Sequence, residues 1–194
     1  DISSKITKLE RNRVSVELII KEGDASSIKE INIIGNKSFS KKEILRVMSS
    51  GTKYFFEFWS SKDTYSSSVL RSDISKIENY YLNRGYVRFR ILSNQVNLSN
   101  DNQDIIITIN IDEGERYEFG DIKVYGNSVV SPEILKSSLM EVMLPKQTFS
   151  RQKIQESEKL LAYLLGDEGF AFPEVLSLPI IDDATKIVDV EFRV

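Results

Sequence analysis

The sequence Ile31-Asn32-Ile33-Ile34-Gly35-Asn36 recurs 91 residues later as Ile122-Lys123-Val124-Tyr125-Gly126-Asn127. Glu22-Gly23 precedes the first copy, and Glu113-Gly114 precedes the second copy at the same separation. An alternating apolar pattern leads into each Glu-Gly pair and begins a third time at Val188. A period of this length is the size of a small domain and exceeds that of a solenoid repeat. We therefore expect a linear array of similar small domains.

Each repeat unit predicts the element order strand, helix, helix, strand, strand. In the first unit, Ser40 and Glu43 are typical of a capping box that opens a short helix. A second helix is predicted from an apolar stripe with spacings of four, three and four residues, made by Leu70, Ile74, Ile77 and Tyr81. Gly85 stands where a left-handed helix C-cap is expected. Strands over residues 86–98 and 105–111 are expected to complete the unit.

The second unit repeats this order with a shorter connection between its helices. Ser131-Pro132 predicts an N-cap followed by proline at the first helical position. Gly169 corresponds to Gly85 at an offset of 84 residues rather than 91, so the first unit carries seven extra residues. They fall in an aromatic loop, residues 53–59. The strand after Gly169 is expected to carry two core aromatic residues, Phe170 and Phe172.

Strand character predicts the order of strands in each sheet. Residues 105–111 are apolar on both faces except at Thr108 and Asn110, as expected of a central strand. Residues 86–91 alternate and include Arg88 and Arg90, as expected of an edge strand that is protected by charge. Two helices on one face of such a three-stranded sheet make a small α+β domain.

The composition excludes several classes of function. The 194 residues contain no Cys and no His, and the formal net charge is -3. Without Cys there are no disulfides or thiolates, and without His the usual general base and the commonest metal ligand are missing. The acidic balance argues against a nucleic-acid partner. We therefore expect no catalytic residue, no cofactor and no metal site. The alternative is an enzyme with a carboxylate site.

Several spaced motifs must be read together. They are the Gly-Asn after the first strand, the Gly-aromatic pair after the long helix, the closing Glu-Gly, and the local sequences Arg11-Asn12-Arg13-Val14, Tyr80-Tyr81-Leu82-Asn83-Arg84-Gly85-Tyr86 and Gly169-Phe170-Ala171-Phe172-Pro173. Together they resemble the POTRA domains of BamA-type outer-membrane protein assembly factors, over essentially the whole chain. The resemblance implies tandem POTRA domains, each β-α-α-β-β with two helices packed on a three-stranded mixed sheet.

The same resemblance implies domain boundaries and a function. Residues 1–23 would be the C-terminal tail of a preceding POTRA domain, residues 24–114 a complete domain like the third of the array, and residues 115–194 a nearly complete domain like the fourth. The implied role is a non-enzymatic docking and chaperone-like scaffold in the periplasm, tethered to the outer membrane. The implied partners are unfolded outer-membrane β-barrel proteins, accessory assembly lipoproteins and the protein's own C-terminal membrane barrel. The POTRA array of another barrel transporter, from translocation-assembly or two-partner secretion, and a passive spacer are the alternatives.

Strand addition is the binding mechanism that such a sheet edge offers, because an open edge pairs with a client backbone whatever its side chains. The edge of the first unit lacks proline, whereas Pro173 and Pro179 lie inside and just after the corresponding edge of the second unit. We therefore expect the first unit to bind. The predicted partner-binding residues are Tyr86, Val87, Arg88, Phe89, Arg90, Ile91, Leu92, Ser93 and Val96. The alternative is that Arg88 and Arg90 are ordinary edge-protecting charges.

The aromatic loop has two interpretations. As an exposed hydrophobic patch for a client or lipid, it would use Phe55, Phe56, Phe58 and Trp59. Alternatively, these residues fold back under the helices as a satellite core. Residues 84–90 begin like the strand that binds bases in RNA-recognition domains. Their later aromatic residues fall out of register with that pattern and the chain is acidic, so we interpret the match as a chance one.

Overall fold

The computed structural model describes residues 2–9, 13–20, 27–49, 66–99, 104–126, 130–170 and 172–194. Its strands are β1 (Ile2–Leu9), β2 (Arg13–Ile20), β3 (Ser27–Ile34), β4 (Arg90–Leu98), β5 (Asp104–Asp112), β6 (Glu118–Tyr125), β7 (Leu176–Asp182) and β8 (Ile187–Arg193). Its helices are α1 (Lys41–Val47), α2 (Ser67–Leu82), α3 (Pro132–Leu139) and α4 (Arg151–Asp167). The order strand, helix, helix, strand, strand is thus confirmed in the first unit, β3 to β5, and in the second unit, β6 to β8.

In the described part of the chain, the strands form three sheets. The pair β1–β2 is an antiparallel sheet of its own, and the two units contain three-stranded sheets with the orders β3-β5-β4 and β6-β8-β7. In each unit the last strand is central, parallel to the first strand and antiparallel to the middle one. The predicted central position of residues 105–111 and the predicted mixed α+β class are therefore confirmed.

Each unit packs its two helices on one face of its sheet. In the first unit, Ile77 and Tyr81 of α2 are fully buried and share a core with Ile107 and Ile109 of β5. The predicted stripe is confirmed, with Ile74 partly buried at its edge. In the second unit, the core of α4 and β8 contains Ile154, Leu161, Val188, Val190 and Phe192. Each such side chain contributes about 1.5–3 kcal/mol when it is removed from water.

The predicted helix boundaries follow from local hydrogen bonds. Ser40 and Glu43 form the capping box at α1, and the Ser131 side chain accepts from the Ile134 N–H at α3. Gly85 and Gly169 follow the long helices and have positive φ angles, +96° and +98° respectively. Glycine is required there because a Cβ is strongly disfavoured in the left-handed region.

Glu113, at the end of β5, joins the sheet to both helices of the first unit. Its buried carboxylate accepts hydrogen bonds from the Lys37 N–H at 2.9 Å, the Ser38 N–H at 3.0 Å and the Ser38 hydroxyl at 2.7 Å. The hydroxyl of Tyr81 on α2 donates a further bond at 2.8 Å. The loop before α1, the long helix and the central strand therefore meet at one side chain.

These bonds determine how Glu113 titrates. Burial by itself raises the pKa of Glu113, but the bonds from Ser38, Lys37 and Tyr81 outweigh it, so the net pKa lies below the usual value. Burial, and then the bond to Glu113, raises the pKa of Tyr81. The pair is therefore an ionised carboxylate that accepts from a neutral phenol at neutral pH.

The second unit differs from expectation near the start of β7. The strand begins at Leu176, so Pro173 precedes it and Pro179 lies inside it, the reverse of the predicted arrangement. Phe170 and Phe172 are not core residues, because they lie in the connection before β7, and Phe172 is 94% exposed. The alternation that predicted a strand here instead belongs to an irregular segment.

We expect Glu113→Gln to lower the free energy of unfolding by about 2–3 kcal/mol at pH 7, because an amide cannot accept from all four donors. The depressed folded-state pKa stabilises the protein above the unfolded value of about 4.3, and this stabilisation is lost as the pH falls through the folded pKa. The gap between variant and wild type should therefore close in acid. Urea unfolding at pH 7 and below pH 4 measures it.

Glu78→Gln is the matched control, since Glu78 is an exposed carboxylate on α2. It should change the free energy of unfolding by less than about 0.5 kcal/mol at either pH. A Glu113→Gln penalty that persists unchanged in acid would contradict the assigned role of the carboxylate.

Candidate functional site

The predicted edge strand of the first unit starts four residues later than expected. β4 begins at Arg90, and residues 86–89 form a turn, so the prediction of a strand from Tyr86 was wrong. The Tyr86 and Val87 N–H groups donate to the Tyr81 and Gly85 carbonyls, and the Phe89 N–H donates to the Tyr86 carbonyl. These short-range bonds use the backbone groups that a strand would offer to its neighbour.

Two of the predicted contact residues pack into or against the core instead. Phe89 is only 6% exposed and stacks on Tyr81, with ring centroids 4.2 Å apart and planes 15° apart. Tyr86 makes edge-on contacts with Tyr81 and with Phe39. Aromatic contacts of these kinds stabilise a core beyond the area they bury. These side chains fix the turn in place.

The other two residues of the turn contact the second unit. Val87 packs against the core of the second unit. Arg88 forms a bidentate ion pair with Asp183 in the β7–β8 turn, through Nε at 3.0 Å and Nη2 at 2.8 Å. Tyr117 donates its hydroxyl to the same carboxylate at 2.5 Å. Arg88 is thus committed to a contact between the units.

The charges at this junction reinforce one another. The Arg88 guanidinium, and then the Tyr117 hydroxyl, hold the pKa of Asp183 below its usual range. Beside them, Lys186 pairs with Glu115 and lies 5.5 Å from the ring centroid of Tyr117. A planar guanidinium that meets a carboxylate with two parallel bonds also fixes their relative orientation.

Backbone contacts close the junction on its other side. The Asn83 side chain accepts from the Gln152 N–H at 2.8 Å, so the end of α2 caps the first turn of α4. The Tyr117 N–H donates to the Gly85 carbonyl at 2.8 Å. A Cβ at Gly85 would lie 2.9 Å from the Tyr117 carbonyl oxygen, so this approach needs glycine in addition to its positive φ.

β4 is an edge strand, as predicted, and it contains an irregularity. Ile91 pairs with Ile111 and Ser93 with Asn110, so Leu92 is the extra residue of a β-bulge. The bulge leaves the Leu92 side chain 60% exposed. Asn110 donates its side-chain amide to the Ser93 hydroxyl at 2.6 Å, which secures the register immediately after the bulge.

The part of β4 beyond the bulge presents backbone groups to solvent in a defined pattern. The Ser99 N–H donates to Asp104 across the hairpin, so that pair is a hydrogen-bonded one. Hydrogen-bonded pairs alternate with non-hydrogen-bonded pairs in an antiparallel ladder. The residues opposite Ile105, Ile107 and Ile109 therefore point their N–H and C=O groups away from β5, and they are Leu98, Val96 and Asn94.

The side chains of this edge combine charge and apolar surface. Arg90 is exposed and pairs with Asp112 within the first unit at 2.5 Å. Val96 is 38% exposed and Leu98 is 51% exposed, although both lie on the helix-side face of the sheet. An extended chain added beside β4 would thus meet free backbone groups and an apolar border together.

Of the predicted contact residues, Arg90, Ile91, Leu92, Ser93 and Val96 lie on β4, and Tyr86, Val87, Arg88 and Phe89 do not. Asn94 and Leu98 were missed, although the run from 94 to 98 without proline was visible in the sequence. The proposed aromatic patch, Phe55, Phe56, Phe58 and Trp59, lies outside the described residues. In the described ranges, no group of three or more acidic side chains is arranged to hold a metal ion.

None of the helices in the described part of the chain is long and apolar enough to cross a membrane.

Comparison with known proteins agrees with this architecture. The model of the POTRA family, described as surface antigen variable number repeat, matches residues 26–114 and 117–194. Outer membrane protein assembly factor BamA of Neisseria meningitidis serogroup B is 28% identical over 188 residues, which are 97% of this chain and 24% of the relative. The BamA of Buchnera aphidicola is 29% identical over 194 residues, covering 98% and 31% respectively. The chain therefore spans a third or less of the length of these relatives.

Among solved structures, Haemophilus influenzae BamA POTRA3-5 is similar with a TM-score of 0.71 and 23% identity, over 90% of this chain and 68% of that chain. At this identity the likeness concerns the fold. Together with the match of the family model to both units, it leads to one conclusion: the chain belongs to the POTRA family.

Proposed function

We propose that this chain is part of a periplasmic docking and chaperone-like scaffold of an outer-membrane β-barrel assembly machine. In this role it receives unfolded outer-membrane proteins by strand addition to β4 and binds accessory lipoproteins. The activity is binding, with no chemical step. The whole protein would be tethered to the outer membrane by its own C-terminal barrel.

The matched relatives support the assembly role. Both curated relatives above carry the name outer membrane protein assembly factor BamA, and each matches nearly the whole of this chain. These names favour BamA-type assembly over the POTRA array of another barrel transporter.

The observation that carries the binding mechanism is the outward-facing backbone of Asn94, Val96 and Leu98. Unfolded barrel proteins share alternating strands and little else, so a receiver gains from contacts that ignore side-chain identity. Main-chain pairing supplies such contacts, and the exposed Val96 and Leu98 side chains add apolar surface.

Lipoprotein docking would use the side chains that the bulge projects. Leu92 is 60% exposed and Arg90 lies beside it, so the two offer an apolar and a cationic group at the start of β4. Arginine is enriched in protein interfaces, and the buried core of an interface is more apolar than its rim. The bulged start of β4 is thus suited to a folded partner, and its regular end to an extended one.

A second candidate function, a spacer of defined geometry, is favoured by the junction. Arg88, Asp183 and Tyr117 connect the two units through side chains. The Asn83 side chain accepts from the Gln152 N–H, and the Gly85 carbonyl accepts from the Tyr117 N–H. Contacts of this number limit the reorientation expected of domains that are joined by a short linker. Spacing and client binding are compatible, because the junction lies before the open part of β4.

Val96→Pro should weaken binding of an extended peptide to β4 by at least about tenfold, because it removes one outward donor. The fold should persist, since the lost N–H does not bond to β5. Titration of the isotopically labelled chain with an eight-residue peptide of alternating threonine and valine, followed by amide NMR, measures the effect. The wild type should show shifts concentrated on residues 94–98.

Val96→Thr is the control, because it keeps the N–H and nearly the same shape. Its affinity should stay within about twofold of the wild type. Equal affinities for Val96→Pro and Val96→Thr would argue against strand addition and in favour of the spacer role.

Arg88→Ala should allow the two units to reorient, because it removes the bidentate contact to Asp183. Residual dipolar couplings of both units should fit one alignment tensor in the wild type and two different tensors in the variant. Arg90→Ala is the matched control, since Arg90 pairs within the first unit. A single tensor for Arg88→Ala would mean that the remaining contacts, which include Val87 and the Asn83 side chain, hold the junction. Because the pKa of Asp183 is depressed, the ion pair should persist at neutral pH and be lost in acid.

A further inference from the structure

The edge strand of the second unit, β7, presents its backbone in the same alternating way as β4. Pro179 lacks an N–H, and it lies opposite Val190 in a non-hydrogen-bonded position, where a strand tolerates proline. By the same alternation, the N–H groups of Ser177 and Ile181 point away from β8. The outward positions of β7 are therefore Ser177, Pro179 and Ile181.

A side chain from the long helix occupies the first of these positions. The half-buried carboxylate of Glu158 on α4 accepts from the Ser177 N–H at 3.2 Å and from the Ser177 hydroxyl at 2.6 Å. The bond to the amide also confirms, independently of the proline, that this N–H faces outward. Of the three outward positions, one lacks a donor and another has its donor bonded within the unit.

The two units can be compared position by position. When the central strands are aligned, Ile107 of β5 corresponds to Val190 of β8. Val96 pairs with Ile107, and Pro179 pairs with Val190. Val96 therefore corresponds to Pro179. In the same register, Asn94 corresponds to Ser177.

The long helices align through the glycines that end them, Gly85 and Gly169. This alignment superposes the buried Ile77 on the buried Leu161, and it brings Ile74 to the position of Glu158. Where the second unit has an acceptor and a proline, the first unit therefore has two aliphatic residues, Ile74 and Val96.

There is space for a peptide beside β7. A groove of about 420 Å³ runs between α4 and β7, with Val87 of the first unit, Ile154, Glu158 and Pro179 among its lining residues. Its volume and its mixed apolar and polar walls would accept side chains of an extended peptide. At two of its three outward positions, however, the edge offers no free backbone donor.

We propose that Glu158 and Pro179 keep the edge of the second unit closed to strand addition, so that an extended chain adds to β4 and not to β7. The selectivity between edges rests on the proposed function of β4, but the closure of β7 does not. An incoming strand at β7 would have to displace the Glu158 carboxylate from Ser177 and would still find no donor at Pro179. Two neighbouring sheets of one fold thus differ in whether they accept a strand.

The test transfers the residues of the first unit into the second. Glu158→Ile combined with Pro179→Val should open β7, and titration with the same alternating threonine–valine peptide should produce new amide shifts on residues 177–181. We expect the affinity of this edge to rise at least about tenfold over the wild type. Glu156→Ile combined with Pro179→Val is the matched control, because Glu156 lies on the same helix but bonds to Gln152. This control keeps the Glu158 contact and should gain less.

The outcomes separate the closure from the function of β4. New shifts at 177–181 support the closure, whether or not the wild type binds the peptide at 94–98. Pairing of two copies of the variant through β7 supports it as well, because that also requires an open edge. A folded double variant with no shifts at 177–181 and no such pairing overturns it. Absence of shifts at 94–98 in the wild type would instead count against the proposed function alone.

Two further measurements do not depend on the folding of the double variant. In the wild type, the Ser177 amide should exchange with solvent slowly although it faces outward, and Glu158→Ala, which removes the acceptor oxygen, should speed its exchange at least about tenfold. The reciprocal variant, Ile74→Glu with Val96→Pro, should close β4 by the same chemistry. Fast exchange of the Ser177 amide in the wild type would show that Glu158 does not hold it, and would overturn the proposal.

Discussion

The Glu113 carboxylate holds the first unit together, because three parts of the chain that are distant in sequence converge on it. It accepts from the loop before α1 through Lys37 and Ser38, and from α2 through Tyr81, while its own backbone directly follows β5. A buried charge without partners would cost several kcal/mol, so each donor is needed to keep the site ionised. The glycine that follows, Gly114, then carries the chain out of the first unit in a left-handed conformation with φ of +67°.

The same convergence explains why the segment after α2 cannot be a strand. Tyr81 is held by Glu113 on one side and stacks on Phe89 on the other. Phe89 can reach Tyr81 only if the chain turns immediately after Gly85. That turn places Val87 and Arg88 against the second unit, where Arg88 meets Asp183. The core of one unit thereby determines the contact with the next.

The two edge strands show how two copies of one fold can differ in the backbone groups that they offer. Both units have a central last strand and an exposed middle strand, so their topology is the same. Their edges differ in Val96 against Pro179 and in Ile74 against Glu158. A proline or an internal acceptor at an outward position is a common way to protect an edge from unwanted pairing.

The sequence by itself determined the repeat, the order of elements, the central strand, the capping box at Ser40 and the turns at Gly85 and Gly169. These features depend on hydrogen bonds within about four residues or on periodicity along one element. The interacting residues are therefore close together in the sequence, and the local pattern is enough to predict them.

The tertiary structure alone decided the roles of Glu113, Asp183 and Glu158. Their partners lie 75 residues away at Ser38, 95 residues away at Arg88 and 19 residues away at Ser177. It also decided that residues 86–89 are a turn although they alternate like a strand, because the packing of Phe89 on Tyr81 outweighs local strand preference. Local patterns specify elements, whereas contacts across the fold specify which backbone groups remain free to bind.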